Sequence, residues 1–256
     1  MKRQILKIAV QITANHFSQV NLGRLSFYIN YLRGLGSGSC AERETAAFGL
    51  ISPRAVVFDV GANCGDYARA AMSAIPNIDL HCFEPSKKTF ELLAKNLKGT
   101  PATLNNFGLG EQNASLTLFS PGDGSGLASL SKRKLDHFGI YMDQEEIVDI
   151  RTLDGYCRDR GITKIDLLKV VVEGHEMSVL KGASGLLSSR RITFITFEFG
   201  GCNIDSRTFF QDFYYFFKDL GMKSLCRITP SGRLSPVLQY SEELEYFRTT
   251  NYIVSF

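Results

Sequence analysis

A buried strand that runs into a glycine turn constrains the fold of this chain more than any other feature. Residues 55–60 read Ala-Val-Val-Phe-Asp-Val, in which Asp59 is the only polar residue, as expected of a strand buried on both faces of a parallel sheet. Gly61 and Gly65 have no Cβ, so the backbone can turn sharply there and approach a ligand. An acidic residue, Asp66, then opens a helical pattern. The stretch predicts a strand, glycine turn and helix unit.

A carboxylate at the end of the next strand indicates a nucleoside site. Residues 78–83 form an apolar strand pattern followed by Glu84, the position at which such sheets hold a ribose through its hydroxyls. The dinucleotide fingerprint requires a middle glycine where this chain has Asn63, so a pyrophosphate would be crowded. S-adenosylmethionine has a ribose but no phosphate and suits this turn better. Alternatively, Asp59 only caps the turn and Glu84 is a solvated carboxylate.

The composition indicates one globular domain without an obvious macromolecular partner. The chain has 256 residues, is 44% hydrophobic and carries a net charge of +3, with 29 basic and 26 acidic residues spread along it. No basic block favours nucleic acid. None of the six cysteines has Cys-x-x-Cys or zinc-finger spacing, so we interpret them as reduced, mostly buried residues of a cytoplasmic protein.

The first 50 residues predict a helical cap, and residues 51–256 the main domain. Residues 1–20 suggest a helix with one apolar side, which packs on the domain or makes peripheral contact with a membrane. Nothing there is long enough for a transmembrane span, and no signal-peptide cleavage site is convincing. Residues 34–39 are rich in glycine and serine and could be a hinge before a short helix at 41–48.

An alternation of strands and helices predicts a doubly wound parallel α/β sheet. The predicted elements are a strand at 55–60, a helix at 66–75, a strand at 78–83, a helix at 86–97 and a strand at 101–107. At the end of the third strand, the Asn106 amide could reach the adenine amine and Phe107 could lie near its ring. An ordinary turn rich in asparagine and glycine explains these residues almost as well.

Residues 111–150 interrupt this rhythm. They contain alternating strand patterns at 115–119 and 147–150 and a Gly/Ser loop at 121–129. We expect a hairpin that passes over the open end of the sheet and carries substrate specificity.

The second half supplies polar groups at two further strand ends. A strand at 165–172 runs into Glu173-Gly174-His175-Glu176 and a helix at 177–187, and the strand at 192–197 ends in Glu198. A helix at 208–220 is rich in aromatic residues, which we assign to the core. Strands at 222–228 and 251–256 suggest an antiparallel hairpin at the sheet's edge.

These residues together resemble the FkbM family of S-adenosylmethionine-dependent methyltransferases. The matching motifs run from Val57 to Gly65, through Phe83-Glu84-Pro85, Asn106 and Leu109-Gly110, and then from Ile165 through Lys169 to Glu176 and on to Phe197-Glu198. The resemblance implies a Rossmann-like class I methyltransferase fold of seven strands, the last antiparallel, and O-methylation of a sugar, glycan or natural-product scaffold. It places Asp59, Gly61, Asn63 and Gly65 at the methionine end of the cofactor, Glu84 at the ribose and Asn106 at the adenine.

One position departs from the family pattern. The family's fourth-strand motif has an aspartate two residues after the lysine, and this chain has Val171. A valine cannot serve as a base or ligand. Either Lys169, Glu173, His175 and Glu198 suffice for catalysis, or the chain is an impaired form.

His175 is the first candidate for the base, because an imidazole can accept a proton near neutral pH; it could instead cap the following helix. Glu173 and Glu198 could hold sugar hydroxyls or a divalent cation, although Val171 weakens a metal site. Two other functions stay open, a nucleoside-binding protein without turnover and, less favoured, a nicotinamide-dependent dehydrogenase. A homo-oligomer is compatible with the sequence.

Overall fold

The computed structural model describes residues 45–256 continuously, residues 18–36 and 38, and positions 4, 7, 10–12 and 14. The positions described between 4 and 14 are helical, in agreement with the helix predicted at residues 1–20. Residues 18–20 of that range are also described, and 19 and 20 are helical; its remaining residues lie outside the description. In the described part of the chain, no helix is long and apolar enough to cross a membrane.

Strands and helices alternate along most of the described chain. The strands are β1 (Val56–Val60), β2 (Asp79–Phe83), β3 (Thr103–Asn105), β4 (Gly108–Leu109), β5 (Ala114–Ser120), β6 (Gln144–Arg151), β7 (Ile165–Val170), β8 (Ile192–Phe199), β9 (Ser224–Ile228), β10 (Leu234–Pro236) and β11 (Thr250–Ser255). The α-helices are α1 (Gln19–Leu32), α2 (Asp66–Ala74), α3 (Lys87–Asn96), α4 (Leu153–Arg160), α5 (Glu176–Lys181), α6 (Ser184–Ser188), α7 (Cys202–Ser206) and α8 (Phe210–Asp219). Short 3-10 helices span Thr45–Leu50, Asp136–Phe138 and Glu242–Leu244.

The main sheet confirms the predicted doubly wound fold and adds one strand. Its order is β10-β9-β11-β8-β7-β1-β2-β3, with β1 paired in parallel to β2 and β7, and β7 in parallel to β8. The last strand, β11, runs antiparallel to both β8 and β9. The expectation of a hairpin formed by the last two predicted strands at the sheet's edge is wrong, because β11 lies inside the sheet and the edge hairpin is β9–β10. β11 is buried along nearly its whole length, as expected of a strand that has a neighbouring strand on each side.

The excursion at residues 111–150 forms a second sheet in the order β4-β6-β5. Its main component is the β5–β6 hairpin, in which Ala114 pairs with Ile150 and Ser120 with Gln144. The two strands confirm those predicted at 115–119 and 147–150, and both are longer than predicted.

Three element boundaries differ from the sequence prediction near the carboxyl edge of the sheet. β7 ends at Val170, so residues 171–175 form a loop and not strand, whereas β8 continues through Glu198 to Phe199. The helix predicted at 177–187 is two short helices, which are separated at Gly182 and Ala183. Gly182 lies so close to the start of the insertion that a Cβ on it would meet the Gly110 carbonyl oxygen at 2.0 Å.

Two apolar layers cover the faces of the main sheet. The larger layer contains the aromatic helix α8, whose Phe213 stacks on Phe197 with the ring centroids 4.9 Å apart. Phe197 also stacks on Tyr252 of β11. The other layer packs α2 and α3 against β1 and β2. The prediction that the aromatic residues of the helix serve the core is confirmed for those it buries, Phe210, Phe213, Tyr214 and Phe217.

The segment before the sheet also differs from the prediction. A helix, α1, occupies 19–32, a stretch without a clear helical pattern; the Ser18 side chain caps it by accepting a hydrogen bond from the Asn21 amide. The helix predicted at 41–48 is replaced in its described part by the 3-10 helix from residue 45, while 41–44 lie outside the described residues. Within the predicted hinge, Leu35 is buried and the Gly36 amide donates to Thr250 Oγ1 at 2.8 Å.

Candidate functional site

A cavity of about 300 Å³ lies at the carboxyl edge of the main sheet. It is bounded by the ends of β1, β2, β7 and β8 and by part of the loop between β5 and β6. The site residues predicted from the sequence that line it are Gly61, Asn63, Glu84, Lys169, Glu173, His175 and Glu198. The fold therefore brings together side chains from distant parts of the chain.

The turn after β1 takes the conformation that its sequence predicts. Gly61 has a φ of +80°, and a Cβ on it would meet the Val171 carbonyl oxygen at 1.9 Å, so only glycine fits between β1 and the end of β7. Asn63 also has a positive φ, +45°, and its Oδ1 accepts a hydrogen bond from the Cys64 amide at 2.6 Å. The local side-chain bond is one reason that asparagine tolerates this backbone conformation.

Glu84 is buried and held in a fixed orientation at the cavity wall. One carboxylate oxygen accepts a hydrogen bond from the Asn63 amide and the other from the Ser86 amide, each at 3.0 Å. Burial raises the pKa of Glu84 to about 7, against the effect of the two amides. Each carboxylate oxygen has a second lone pair. The carboxylate is thus oriented by the first turn and can accept further hydrogen bonds.

Asp59 does not line the cavity. Its fully buried carboxylate forms an ion pair with Lys169, with Oδ1 and Nζ 2.9 Å apart. Lys169 Nζ also donates to the Gly61 carbonyl oxygen at 2.8 Å and lies 5.5 Å from the centre of the Tyr67 ring. The Asp59–Lys169 ion pair therefore holds the turn in place through the hydrogen bond to Gly61, and Lys169 borders the cavity.

Three other predicted cofactor residues also lie away from the cavity. Gly65 is the N-cap of α2, and a Cβ there would meet Leu93 at 2.9 Å. Asn106 uses its amide to donate to the carbonyl oxygens of Glu84 and Pro85. Phe107 is buried in the core against Phe83, with Arg151 over its ring. These positions correct the expectation of direct adenine contacts by Asn106 and Phe107, because local hydrogen bonds and core packing direct both side chains away from the cavity.

A buried carboxylate holds the loop that follows β7. Glu176 accepts hydrogen bonds from the amides of Val172 and Gly174 at 3.0 Å, and burial raises its pKa to about 7. Glu173, between these amides, has a φ of +52°. Glu176 belongs to the sequence motif, but nothing in the motif indicates that its role is to shape the loop.

His175 faces the cavity at the N-cap position of α5. Its side chain makes no capping hydrogen bond, and its Nε2 is buried without a hydrogen-bond partner among the described residues. Burial lowers the pKa of His175, although Glu111 opposes this effect. The imidazole is therefore neutral at pH 7 and has a nitrogen available to accept a proton.

The insertion is joined to the loop after β7 by Arg133. Its guanidinium forms an ion pair with Glu173 and lies 3.7 Å from Asp205 of α7. Ser129 Oγ donates to the Glu173 carbonyl oxygen at 2.7 Å. The neighbouring residues of the insertion that line the cavity are Ser125, Gly126, Ala128 and Leu130. No sequence signal indicated Arg133, because it lies 40 residues from the carboxylate that it contacts.

Val171 is partly exposed and lines the cavity. Its backbone amide donates to the Val60 carbonyl oxygen at 3.1 Å, which continues the β1–β7 pairing by one bond. Its side chain therefore lies beside the site and not in the core. Among the described residues, no group of three or more His, Cys, Asp or Glu side chains is arranged to hold a metal ion.

Comparison with known proteins agrees with this geometry. The family model of the FkbM methyltransferase domain matches residues 59–224. The 2-O-methyltransferase NoeI of Sinorhizobium fredii is 26% identical over 160 residues, which are 58% of this chain and 65% of that protein. The hexuronic acid methyltransferase AglP of Haloferax volcanii is 29% identical over 147 residues, 56% of this chain and 55% of that protein. The chain thus spans between half and two thirds of these relatives.

A solved structure shares the fold. The FkbM methyltransferase of Methylobacillus flagellatus superposes with a TM-score of 0.51 at 16% identity, over 86% of this chain and 49% of that one.

Proposed function

This chain belongs to the FkbM family of methyltransferases, and we propose that it transfers a methyl group from S-adenosylmethionine to a hydroxyl of a sugar, glycan or natural-product scaffold. The main support for the proposal is the position of the Glu84 carboxylate. This carboxylate is buried at the cavity wall, oriented by two backbone amides and able to accept from ribose hydroxyls. The positive-φ turn at Gly61 and Asn63 beside it leaves room for a nucleoside that carries no phosphate.

The residues at the cavity fit S-adenosylmethionine in three parts. Gly61 and Asn63 border the methionine end, and the Asp59–Lys169 ion pair holds this turn in place through the Gly61 carbonyl oxygen. Glu84 accepts from the ribose. The adenine would lie against the apolar wall formed by Pro85, Leu109 and Ile150, which takes the place of the contacts predicted for Asn106 and Phe107.

The loop after β7 supplies the groups for the acceptor. When bound, the cofactor supplies an electrophilic methyl group. His175 borders the cavity and accepts the acceptor hydroxyl's proton on its imidazole, which its lowered pKa keeps neutral. Glu173 and Glu198 hold other hydroxyls of the acceptor, and Lys169 contributes positive charge at the cavity wall. Alignment of the two reactants by these groups reduces the entropic cost of the reaction.

The insertion excludes water from the site. Arg133 and Ser129 fasten it to Glu173, so that the loop at residues 125–130 covers one side of the cavity. Displacing water strengthens the electrostatic interactions inside. The same loop contributes to acceptor choice, because its side chains border the space that an acceptor would enter.

One relative favours a carbohydrate acceptor, since it is named as a hexuronic acid methyltransferase. Another is named as a 2-O-methyltransferase, which favours an oxygen as the methyl acceptor. Since the chain spans only part of each, a sugar or glycan hydroxyl is our proposal for this chain and not a property taken from them.

A second function, cofactor binding without turnover, is favoured by Val171. It replaces a carboxylate that the family motif would place at the cavity wall. A dinucleotide is disfavoured, because the Asn63 side chain occupies the region where the pyrophosphate motif has a glycine.

The same proposal includes the other expectations from the sequence. Residues 1–50 form a cap and residues 51–256 the methyltransferase domain. The protein lies in the cytoplasm and forms a homo-oligomer, and the use of a divalent metal is left open. Peripheral membrane contact near the N-terminus is supported by α1, in which no residue is buried and Val20, Tyr28 and Leu32 are exposed.

The deciding experiment measures methyl transfer from labelled S-adenosylmethionine to a panel of hydroxylated glycans, alongside calorimetry with S-adenosylhomocysteine and with NAD. We expect binding of S-adenosylhomocysteine but not of NAD, and label in at least one glycan. His175→Ala should abolish transfer and leave cofactor affinity unchanged, whereas His137→Ala, on an exposed turn, should affect neither. Cofactor binding with no methyl transfer to any glycan would favour the second function, cofactor binding without turnover.

A further inference from the structure

A second cavity, of about 240 Å³, lies beside the β9–β10 hairpin and shares no lining residue with the first. Two arginines, Arg33 and Arg227, line it together with Glu243. Gln239 and Ser241 contribute polar side chains that can donate hydrogen bonds. A cavity with two guanidinium groups and one carboxylate has an excess of positive charge.

Arg227 is the buried member of the pair. It is 9% exposed, and its Nε is buried and has no hydrogen-bond partner in the described part of the chain. Burial lowers its pKa, but a guanidinium remains charged at neutral pH. A buried guanidinium nitrogen without a hydrogen-bond partner is costly, and of the residues described around this cavity Glu243 is the one acidic residue against two arginines. The unpartnered nitrogen and the excess of positive charge together indicate an anion as the missing ligand.

Arg33 is the accessible member. It is the C-cap residue of α1, its side chain is 48% exposed, and its guanidinium lies 3.7 Å from Glu243. Glu243 is itself 78% exposed, so this contact is weak and can open. Arg33 can therefore turn toward a ligand held by Arg227.

We propose that this cavity binds a phosphate group, as a free phosphate ester or as the headgroup of a lipid. Guanidinium groups bind phosphate oxygens through paired, charge-assisted hydrogen bonds, and two of them can clamp one group. Arg227 would contribute its guanidinium from inside the cavity. Arg33 closes on the same group from the rim after leaving Glu243.

The sheet places this cavity near the proposed methyl-transfer site. Val170 at the end of β7 is in register with Phe197, Phe197 with Tyr252, and Tyr252 with Arg227. Three steps of about 4.8 Å between strands put the two backbones about 14 Å apart. An extended acceptor that carries a phosphate could therefore reach both cavities. Alternatively, a lipid phosphate could hold the protein at a membrane, since Leu32, next to Arg33 in the sequence, and Leu238, which lines the cavity, are 72% and 90% exposed.

The test is calorimetry with inorganic phosphate in a buffer free of other oxyanions. We expect a dissociation constant of roughly a millimolar or below, weakened at least about tenfold by Arg33→Gln. Glu243→Gln should strengthen binding several-fold, because it removes the competing carboxylate. Arg158→Gln is the matched control: Arg158 is also exposed and also lies beside a carboxylate, Asp159, but far from the cavity in sequence and fold.

A second variant separates a ligand-binding Arg227 from a structural one. Arg227→Met keeps the side-chain volume and removes the buried charge, so the melting temperature without phosphate should be kept or raised. Phosphate should raise the melting temperature of the parent and not of this variant. If the parent does not bind phosphate, or if Arg33→Gln and Arg227→Met bind it as well as the parent, the proposal is wrong.

Binding to vesicles distinguishes the two sources of the phosphate group, a lipid headgroup and a free phosphate ester. Co-sedimentation with phosphatidylcholine vesicles that contain phosphatidic acid, lost in Arg33→Gln, would support a lipid phosphate. Phosphate binding without vesicle binding would support a free phosphate ester.

Discussion

At the residue scale, two acidic side chains have the same structural role but only one of them faces the cavity. Glu84 accepts from the amides of Asn63 and Ser86, and Asp154 accepts from those of Gly185 and Leu186. Each holds two backbone groups together, so loss of either carboxylate leaves two amides without their partner. The difference in position makes them a matched pair for testing cofactor binding.

Glu84→Ala should remove most affinity for S-adenosylhomocysteine, because charge-assisted hydrogen bonds to the ribose are worth about 1.5 to 3 kcal/mol each. Its melting temperature should also fall, since the carboxylate is buried and hydrogen-bonded and is not the solvated group of the alternative interpretation. Asp154→Ala should lose stability and keep affinity. Calorimetry below both melting temperatures makes the comparison; equal affinities in the two variants would contradict the ribose assignment.

The pKa of Glu84 predicts a pH dependence of cofactor affinity. Because its folded-state pKa is raised to about 7, the carboxyl is mostly protonated below that pH and ionised above it. Ribose hydroxyls donate to the ionised form, so affinity should rise with pH and level off above about 8. At pH 6, about one tenth of the carboxyl is ionised and affinity should be about tenfold below the plateau. Calorimetry from pH 6 to 8 tests this, and a flat profile would argue against Glu84 as the ribose ligand.

Val171→Asp should raise methyl-transfer activity, since its side chain lines the cavity and an added carboxylate would face the site rather than the core. The carboxylate should attract the sulfonium, so affinity for S-adenosylmethionine should rise several-fold, while that for S-adenosylhomocysteine, which lacks the sulfonium charge, changes less. Val171→Asn has the same shape without the charge and should show no such preference. Equal effects of the two substitutions, or a folded Asp variant with no gain in binding or rate, would refute the restored-site interpretation.

At the element scale, the junction of β1 with β7 depends on a glycine that touches the neighbouring strand end. Gly61 and Gly99 both have a φ of +80°, but a Cβ on Gly61 meets the Val171 carbonyl oxygen at 1.9 Å, and one on Gly99 meets nothing within 4 Å. Conformational strain is therefore the same at the two positions. Only the steric cost differs.

Gly61→Ala should disrupt the end of β7 and abolish cofactor binding, whereas Gly99→Ala should cost about 1 to 2 kcal/mol of stability and leave binding intact. Chemical denaturation and calorimetry measure the two effects. Equal losses of binding in both variants would show that the strained backbone conformation, and not the contact with Val171, causes the loss.

At the scale of the whole molecule, the proposed cofactor site joins the two halves of the sheet. It takes residues from β1 and β2 on one side and from β7 and β8 on the other, with the insertion over them. A ligand bound there should therefore stabilise the domain as one unit.

S-adenosylhomocysteine at a hundredfold excess over its dissociation constant should add about 2.7 kcal/mol to the free energy of unfolding. For a domain of this size that corresponds to a rise in melting temperature of about 5 to 10 °C. NAD at the same concentration should give no rise. Differential scanning calorimetry tests both, and a rise with NAD equal to that with S-adenosylhomocysteine would instead support a dinucleotide site.

The sequence by itself determined most of the strands, the parallel arrangement of those in the middle of the sheet and the edge at which the site lies. These follow from local properties, because apolar runs mark buried strands, glycines permit positive φ, and the carboxyl ends of parallel strands meet at one edge. Sequence patterns alone were therefore enough to predict that Glu84, Asn63 and His175 lie at one site.

Only the tertiary structure decided which neighbouring side chains face that cavity. Asp59 lies two residues before Gly61 but pairs with Lys169, 110 residues away, and Phe107 packs into the core although Gly108 beside it lines the site. Arg133 reaches Glu173 only because the β5–β6 hairpin folds back over the sheet. A side chain's partners depend on packing between distant segments, and local sequence patterns do not contain that information.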